Sequence, residues 1–94
     1  MIKIYFIKIR ECLDKILAKL EKKDKTRYEQ IIKKIEEIKN SDDVDHYKNL
    51  RSPLQHLKGV HIGPFVLVFS VDKSSKTIIF ENYKHHDEIY KNPF

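Results

Sequence analysis

Hydrophobic residues in the N-terminal part of the chain follow two different periods. Ile2, Ile4 and Phe6 alternate with the residues between them, which predicts a short strand. From about Lys8 the spacing changes to three and four residues, which is typical of an amphipathic helix. The apolar stripe of this predicted helix consists of Ile9, Leu13, Ile16, Leu17 and Leu20. A second stripe with the same period predicts another helix and consists of Tyr28, Ile31, Ile32, Ile35 and Ile38.

Turn and capping signals lie around these two stripes. The charged segment Lys22–Lys25 is predicted to turn the chain between the helices. Thr26 and Glu29 have the spacing of a capping box, in which each side chain binds a free backbone N–H near the start of the helix. Asn40 and the polar run after it predict the end of the second helix. Two antiparallel helices of this kind form a hairpin whose apolar side must cover another element.

The second half of the chain predicts three strands joined by short turns. The predicted strands are Leu54–Ile62, Phe65–Val71 and Thr77–Tyr83. A polar loop from Asp42 to Asn49 precedes them, Gly63-Pro64 suits a tight hairpin, and Asp72–Lys76 predicts the next turn. The middle strand is apolar on both faces, as expected of a central strand. His86–Tyr90 predicts a short helical turn at the end of the chain.

Together these elements predict one domain of the α+β class over residues 1–94. We expect an N-terminal strand, a two-helix hairpin packed on one face of a mainly antiparallel sheet, and the short C-terminal helical turn. Cys12 lies among the apolar residues of the first helix and is predicted to be buried. As the only cysteine in the chain, it excludes a disulfide framework.

The chain is basic, with a formal net charge of +5 and a sequence pI near 9.3. This charge favours an acidic partner, such as nucleic acid or an acidic protein, without choosing between them. Lys3 and Lys8 interrupt the apolar start and no small-residue cleavage site follows, so we predict no signal peptide. No apolar span in the sequence approaches the length of a bilayer crossing. We therefore expect a cytoplasmic protein that does not engage a membrane.

Ionisable side chains crowd the exit of the last predicted strand. Such a cluster can support proton transfer or phosphate binding, and chemistry at a phosphate needs a base, a cation at the phosphoryl oxygens and an acid for the leaving oxygen. His85 and His86 titrate near neutral pH and can act as base or acid. Lys84 can hold the phosphate, and Tyr90 can donate a hydrogen bond or stack on a base. His61 and Lys58, one strand away, are expected to line the same cleft.

Each candidate also has a purely structural interpretation. Adjacent histidines point in different directions, so at most one of His85 and His86 is expected to face a given site. Tyr90 can instead anchor the tail to the sheet, and Lys58 can be an ordinary strand-edge lysine. A metal site is disfavoured because the five histidines form no i, i+4 pair and the chain has no CxxC or HExxH motif. We predict neither a metal nor a cofactor.

The element order and the segment LRSPLQHLKGVHIGPFVLVFSVD resemble the RelE/ParE toxin superfamily of bacterial and archaeal toxin–antitoxin systems. Family members often read LKGPLKGLYRIRVGDYRVIY in this segment and end in a His-Arg-x-x-Val-Tyr-like signature. The identical positions in this chain are Leu50, Pro53, Leu54, Leu57 and Gly63. His85 matches the histidine of the signature, His86 stands at its arginine, and Ile89-Tyr90 matches Val-Tyr. The chain departs from the family at His61 and Val66, where many members carry arginine.

The resemblance implies the toxin of a type II toxin–antitoxin system. One branch of the family implies a metal-independent endoribonuclease that cuts mRNA in the ribosomal decoding site. The other branch implies a non-catalytic, ParE-like inhibitor of a partner such as DNA gyrase. The implied partners are a RelB-like antitoxin and, for the nuclease, the ribosome and mRNA. The candidate catalytic residues are His85, His86, Tyr90, Lys84 and His61, and the candidate RNA-binding residues are Lys58, Arg51 and His56.

Overall fold

The computed structural model describes residues 5–91, and within them the chain forms four strands and two α-helices. Their order is β1 (Phe6–Ile9), α1 (Glu11–Lys23), α2 (Lys25–Lys39), β2 (Lys58–Ile62), β3 (Phe65–Asp72) and β4 (Thr77–His85). A single turn of 3-10 helix at Val44–His46 lies in the predicted polar loop, and the side chain of Val44 is buried there. The predicted strand positions Ile2 and Ile4 lie outside the described residues. None of the helices in the described part of the chain is long and apolar enough to cross a membrane.

The strands form one sheet in the order β1-β4-β3-β2. β1 runs parallel to β4, while the β2–β3 and β3–β4 pairs are antiparallel. The parallel pair arises because the helical hairpin returns the chain across the sheet before the three antiparallel strands begin. The predicted α+β fold with a mainly antiparallel sheet is therefore confirmed.

Both faces of the sheet are covered by apolar side chains. The helix-side face contacts the two helices, and its buried residues include Leu13, Leu17, Ile31, Ile35, Ile38, Leu67, Phe69, Ile78 and Phe80. A smaller cluster on the opposite face consists of Leu54, Leu57, Val66, Val68 and Ile89. Burial on both faces explains why β3 is apolar along its length, and it confirms the prediction that β3 is a central strand.

A bulge in β4 places two aromatic residues on the helix-side face. Val68 pairs with Asn82 and Phe69 with Phe80, so Glu81 is an extra residue between the two pairs. Phe80 and Tyr83 are three residues apart, yet both pack in the helix-side core. Regular alternation would have turned one of them to the other face, so the bulge decides which side chains leave β4 in each direction.

The start of α1 and the location of Cys12 differ from the prediction. α1 begins at Glu11 rather than near Lys8, because Phe6–Ile9 is a strand paired with β4. Cys12 is exposed, not buried, and its Sγ donates a hydrogen bond of 3.1 Å to the backbone oxygen of Glu81. Leu13 occupies the buried position instead, because Cys12 lies beside the apolar stripe of α1 and faces the bulge.

The predicted capping box at Thr26 and Glu29 is wrong. α2 begins at Lys25 with Asp24 as its N-cap, and the Asp24 carboxylate accepts a hydrogen bond of 3.3 Å from the N–H of Arg27. The N–H of Asp24 also bonds to the oxygen of Leu20 at 2.7 Å, so the same residue ends α1. Thr26 and Glu29 lie inside the helix and are exposed.

Strand boundaries near the C-terminus also differ from the prediction. Leu54–Leu57 forms hydrogen-bonded turns rather than strand, so β2 is limited to Lys58–Ile62. β4 continues beyond Tyr83 to His85, with Lys84 opposite Val66 and His85 opposite Phe65. The helical turn predicted after this strand is present as consecutive turns from His85 to Lys91 rather than as a regular helix.

The turn between β3 and β4 is organised by the carboxylate of Asp72. It accepts hydrogen bonds from the N–H of Ser74 at 3.1 Å, the hydroxyl of Ser74 at 2.6 Å and the N–H of Ser75 at 3.4 Å. These hydrogen bonds stabilise the charged form and lower the pKa of Asp72 below its ordinary value of 3.8. The last residue of the turn, Lys76, has a φ of 51°, a left-handed conformation.

Replacing Asp24 with alanine is expected to lower the free energy of unfolding by about 1 kcal/mol, because the N–H of Arg27 loses its acceptor. Thr26→Ala is the matched control, since Thr26 is exposed inside α2 and should change stability by less than about 0.5 kcal/mol. Urea denaturation of both variants measures the difference. An equal loss in the two variants would contradict the assignment of Asp24 as the cap.

Replacing Asp72 with asparagine is expected to make the free energy of unfolding depend less on pH in the acid range. The folded-state pKa of Asp72 is lowered, so its charged form stabilises the fold above the ordinary value of 3.8, and that contribution disappears as pH falls through the folded-state pKa. The parent protein should be the more stable at neutral pH, and the difference should shrink in acid. Urea titrations at several pH values test this, and a difference independent of pH would refute it.

Candidate functional site

A cavity of about 240 Å³ lies on the sheet face opposite the helices, beneath the C-terminal turns. We call it the tail cleft, and its lining consists of Leu50, Arg51, Gly59, His61, Val66, His86, Ile89 and Tyr90. His61 reaches it from β2, opposite Val66 of β3. The other polar side chains come from the segment before β2 and from the turns after β4.

Gly59 allows the wall of this cleft to lie close to the sheet. A Cβ atom at Gly59 would stand 2.7 Å from Cδ2 of Leu50 and 3.0 Å from Cγ1 of Val66. The N–H of Gly59 bonds to the oxygen of Lys48 at 3.2 Å, which holds the segment before Leu50 along the edge of β2. The absence of a side chain therefore lets Leu50 and its neighbour Arg51 approach the strand.

Tyr90 joins the C-terminal turns to the opposite wall of the tail cleft. Its hydroxyl accepts a hydrogen bond of 2.7 Å from the N–H of Arg51, and the Arg51 guanidinium lies 5.0 Å from the centre of the Tyr90 ring. Tyr90 as a whole remains 36% exposed. Tyr90 thus anchors the C-terminal turns to the rest of the domain, and it stays partly accessible at the cleft.

His85 and His86 stack on each other but line different cavities. Their ring centres are 4.4 Å apart with 29° between the planes. His86 lines the tail cleft, and its N–H bonds to the oxygen of Pro64 at 3.0 Å. His85 lines a second cavity and packs edge-on against Phe65 with ring centres 5.5 Å apart. The expectation that adjacent histidines face different sites agrees with this placement.

The carboxylate of Asp87 lies beside both imidazoles. Its Oδ1 is 3.0 Å from Nδ1 of His86, and its Oδ2 is 3.6 Å from Nδ1 of His85. The N–H of Asp87 also donates a hydrogen bond of 3.2 Å to Nδ1 of His85. Within residues 5–91, these three residues form the one group of at least three His, Cys, Asp or Glu side chains with ligand atoms close enough to hold a metal ion.

The second cavity, which we call the helix cleft, lies between the helices and the end of β4. Its volume is about 410 Å³, and its lining consists of Ile16, Lys19, Leu20, Arg27, Phe65, Tyr83, Lys84, His85 and Glu88. The guanidinium of Arg27 lies 4.1 Å from the centre of the Phe65 ring, and Phe65 stacks on Tyr83 with ring centres 4.9 Å apart. Nε of Arg27 donates to the hydroxyl of Tyr83 at 3.3 Å.

Arg27 is a cation near the strand exit that sequence reasoning missed. It lies in α2, and its partner Tyr83 is 56 positions away in the chain. The sequence does contain a hint, because arginine is rare in this lysine-rich chain, which has three of them. Two of them, Arg27 and Arg51, lie over aromatic rings, and Arg10 pairs with Glu81 at 3.0 Å. Arginine suits such contacts better than lysine does, because its guanidinium is planar.

The structure separates the predicted site residues into groups. Arg51, His61, His86 and Tyr90 meet in the tail cleft, whereas Lys84 and His85 line the helix cleft. Lys84 is therefore not part of the lining of the tail cleft, and His85 and His86 line different cavities, as expected of adjacent histidines. β4 continues through His85, and its end divides the candidates between the two cavities.

Two of the three predicted RNA-binding residues are engaged elsewhere. Nζ of Lys58 donates to the oxygen of Tyr47 at 3.0 Å and to Oδ1 of Asn49 at 3.1 Å, so Lys58 fastens the preceding loop to β2. His56 lines a third cavity, together with Arg10, Cys12 and Glu81. The expectation that Lys58 shares a cleft with His61 is wrong, because its amine is turned to the loop.

The tail cleft combines groups that can bind and transform a phosphodiester. Arg51 provides a permanent cation, His61 and His86 provide imidazoles that can donate or accept hydrogen bonds and protons, and Tyr90 provides a phenol. Val66 is 4% exposed and forms part of the apolar floor, so it cannot supply the cation that many family members carry at this position. The cationic and proton-transfer groups therefore come from the rim of the cleft.

Comparison with solved structures shows the same fold in RelE toxins. The isolated Escherichia coli RelE toxin superposes with a TM-score of 0.68 at 22% identity, covering 93% of this chain and 92% of that one. A RelE–RelB complex from the archaeon Pyrococcus horikoshii superposes with a TM-score of 0.64 at 19% identity, covering 86% of this chain and 93% of that one. No protein-family model matches the chain.

A relative with much higher sequence identity establishes the family to which this chain belongs. The Methanocaldococcus jannaschii protein described as "Putative toxin RelE4" is 54% identical over 89 residues. The match covers 94% of this chain and 93% of that protein, so it includes both helices and the sheet. The chain belongs to the RelE family of toxins.

Proposed function

We propose that this protein is the toxin of a type II toxin–antitoxin system and acts as a ribosome-dependent mRNA endoribonuclease. The observation that carries the proposal is the meeting of Arg51, His61, His86 and Tyr90 in the tail cleft. The net charge of +5 favours a polyanionic substrate, and family membership favours the toxin role.

The proposed chemistry is transesterification by the RNA's own 2′-hydroxyl. A neutral imidazole of the tail cleft removes the proton from that hydroxyl, and its oxygen attacks the adjacent phosphorus. The bond from phosphorus to the 5′-oxygen breaks, and a protonated imidazole returns a proton to the leaving oxygen. A 2′,3′-cyclic phosphate and a 5′-hydroxyl result. His61 and His86 are the two imidazoles that line the cleft.

Arg51 and Tyr90 are assigned to substrate binding. The Arg51 guanidinium balances the negative charge that builds up on the phosphoryl oxygens. Tyr90 is partly exposed, so its ring offers a face on which a nucleotide base can stack. Because Arg51 and Tyr90 contact each other, phosphate and base would be held side by side in the tail cleft that His61 and His86 also line.

A ParE-like inhibitor that acts by docking is the second candidate. It is favoured by the buried apolar Val66, which stands where many family members carry arginine, and by His61 at another such position. A protein of this kind would need the exposed surface of the domain but no proton-transfer groups. Its predicted effect is inhibition of DNA supercoiling with cellular messages left intact.

We further propose a RelB-like antitoxin as the physiological partner. The Pyrococcus horikoshii neighbour is a RelE–RelB complex, and the basic charge of this chain suits an acidic or amphipathic partner. Phe6 on the edge strand β1 is 67% exposed, and a partner would cover such an apolar side chain. Copurification with the product of an adjacent reading frame tests this assignment.

The nuclease proposal predicts that His61→Ala and His86→Ala each reduce mRNA cleavage by about 100-fold or more, because each removes a proton-transfer group. Tyr90→Phe should weaken cleavage less, since the ring is kept and the hydroxyl is lost. Mapping of message ends in a translation extract measures the rates. His46→Ala is the matched control, because His46 is an exposed histidine of the Val44–His46 turn and lies outside the tail cleft.

Full cleavage rates in all three site variants would show that the tail cleft is not the active site. If the parent protein leaves messages intact and blocks DNA supercoiling, the inhibitor replaces the nuclease as the function. Circular dichroism and thermal unfolding of each variant show whether the fold is kept. This check matters most for Tyr90→Phe, because the Tyr90 hydroxyl that is lost accepts a hydrogen bond from the N–H of Arg51.

A further inference from the structure

We propose that His85, His86 and Asp87 form a binding site for a divalent transition-metal ion such as Zn²⁺. One ligand atom from each of the three side chains lies within 4.8 Å of the others. Two ligands on a tetrahedral zinc ion with bonds of about 2.0–2.1 Å are separated by roughly 3.3 Å. Each oxygen of the Asp87 carboxylate has an imidazole nitrogen near that spacing, with Nδ1 of His86 at 3.0 Å from Oδ1 and Nδ1 of His85 at 3.6 Å from Oδ2.

The end of β4 explains how three consecutive residues gather their ligand atoms. In a strand, neighbouring side chains point to opposite faces, so a His-His-Asp sequence would scatter its ligands. Here the strand ends at His85, and the N–H of His86 bonds to the oxygen of Pro64 at 3.0 Å. The N–H of Glu88 then bonds to the oxygen of His85 at 2.9 Å, closing a turn. These two bonds hold the backbone of all three ligands.

Binding requires one local exchange of partners. Nδ1 of His85 accepts the N–H of Asp87 at 3.2 Å, which is at the long end of hydrogen-bond distances. A metal ion bonded to this nitrogen replaces that hydrogen bond, and the exposed N–H of Asp87 can then bond to water. A metal ion also replaces the direct contact between the Asp87 carboxylate and the two imidazoles.

The donor set selects the class of metal. Two imidazoles and one carboxylate suit zinc, nickel and copper, whereas magnesium and calcium prefer sites built from oxygen ligands. The three side chains are 38%, 51% and 63% exposed, so at least one coordination position faces solvent. Three protein ligands with an open fourth position are the arrangement of an accessible site rather than of a closed structural one.

The position of the site implies that a bound ion would act on the tail cleft. His86 lines that cleft, and an ion bound to its Nδ1 would fix the orientation of the ring and add positive charge beside the cleft. A bound Zn²⁺ would therefore change the rate of cleavage, a consequence that rests on the proposed nuclease function. The metal site itself does not rest on it, because the geometry concerns the folded chain alone.

Calorimetric titration of the metal-free protein with Zn²⁺ tests the site. We expect one ion per chain, and at least about a tenfold loss of affinity in each of His85→Ala, His86→Ala and Asp87→Asn. Mg²⁺ should show no binding in the same range. The matched controls are His46→Ala and the double variant Cys12→Ser with His56→Ala, because Cys12 and His56 line another cavity and are the rival zinc ligands.

NMR of the histidine ring protons locates the ion. The signals of His85 and His86 should shift on addition of Zn²⁺, while those of His46 and His56 should stay in place. Unchanged affinity in the three site variants, loss only in the Cys12/His56 double variant, or equal binding of Mg²⁺ would overturn the proposal. These measurements contain no RNA. A result against the metal site therefore does not contradict the nuclease proposal, and a result against the nuclease proposal does not contradict the metal site.

Discussion

The antiparallel pairing of β3 with β4 is the contact on which both the hydrophobic core and the clefts depend. Phe69 and Phe80 face each other across this pair, with ring centres 5.8 Å apart and both side chains fully buried. On the reverse face, Val66 and Val68 of β3 provide the apolar floor beneath Leu54, Leu57 and Ile89. Any shift of register by one residue would exchange the two faces and bury the polar side chains of β4.

The bulge at Glu81 connects this pairing to the rest of the fold. The Glu81 carboxylate accepts from Arg10 at 3.0 Å and from Ser70 at 2.9 Å, and its backbone oxygen accepts from Cys12. The beginning of α1 is thereby fastened to the irregular point of β4. The bulge also turns Tyr83 toward the helices, where Phe65 and Arg27 pack against it. One extra residue in a strand thus sets both the position of the helices and the wall of the helix cleft.

The end of β4 lies between the two clefts, and this location gives the C-terminal residues their different surroundings. His85 is still paired with Phe65 and belongs to the helix side, while His86 follows the turn to the tail cleft. Asp87 stands next to both rings. The tail cleft is closed on its other side by the Tyr90–Arg51 contact, so it exists only while the C-terminal turns are docked. Phosphate chemistry and metal binding would then compete for His86.

The sequence by itself determined the element types, the element order and the apolar faces. The stripes of Leu13 and Leu17 and of Ile31, Ile35 and Ile38 are buried as their spacing predicts, and β3 is central as its composition predicts. Such features depend on local periodicity, which is present in the sequence. The element order and the segment from Leu50 to Tyr90 also pointed to the correct family.

Only the tertiary structure decided the cap at Asp24, the exposure of Cys12, the division of the candidate residues between two clefts and the convergence of His85, His86 and Asp87. Arg27 reaches Tyr83, and Arg51 reaches Tyr90, across long stretches of chain. The bulge and the last strand's endpoint depend on which residues pair across the sheet. Pairing between distant segments is a property of the folded chain, so no local pattern contains it.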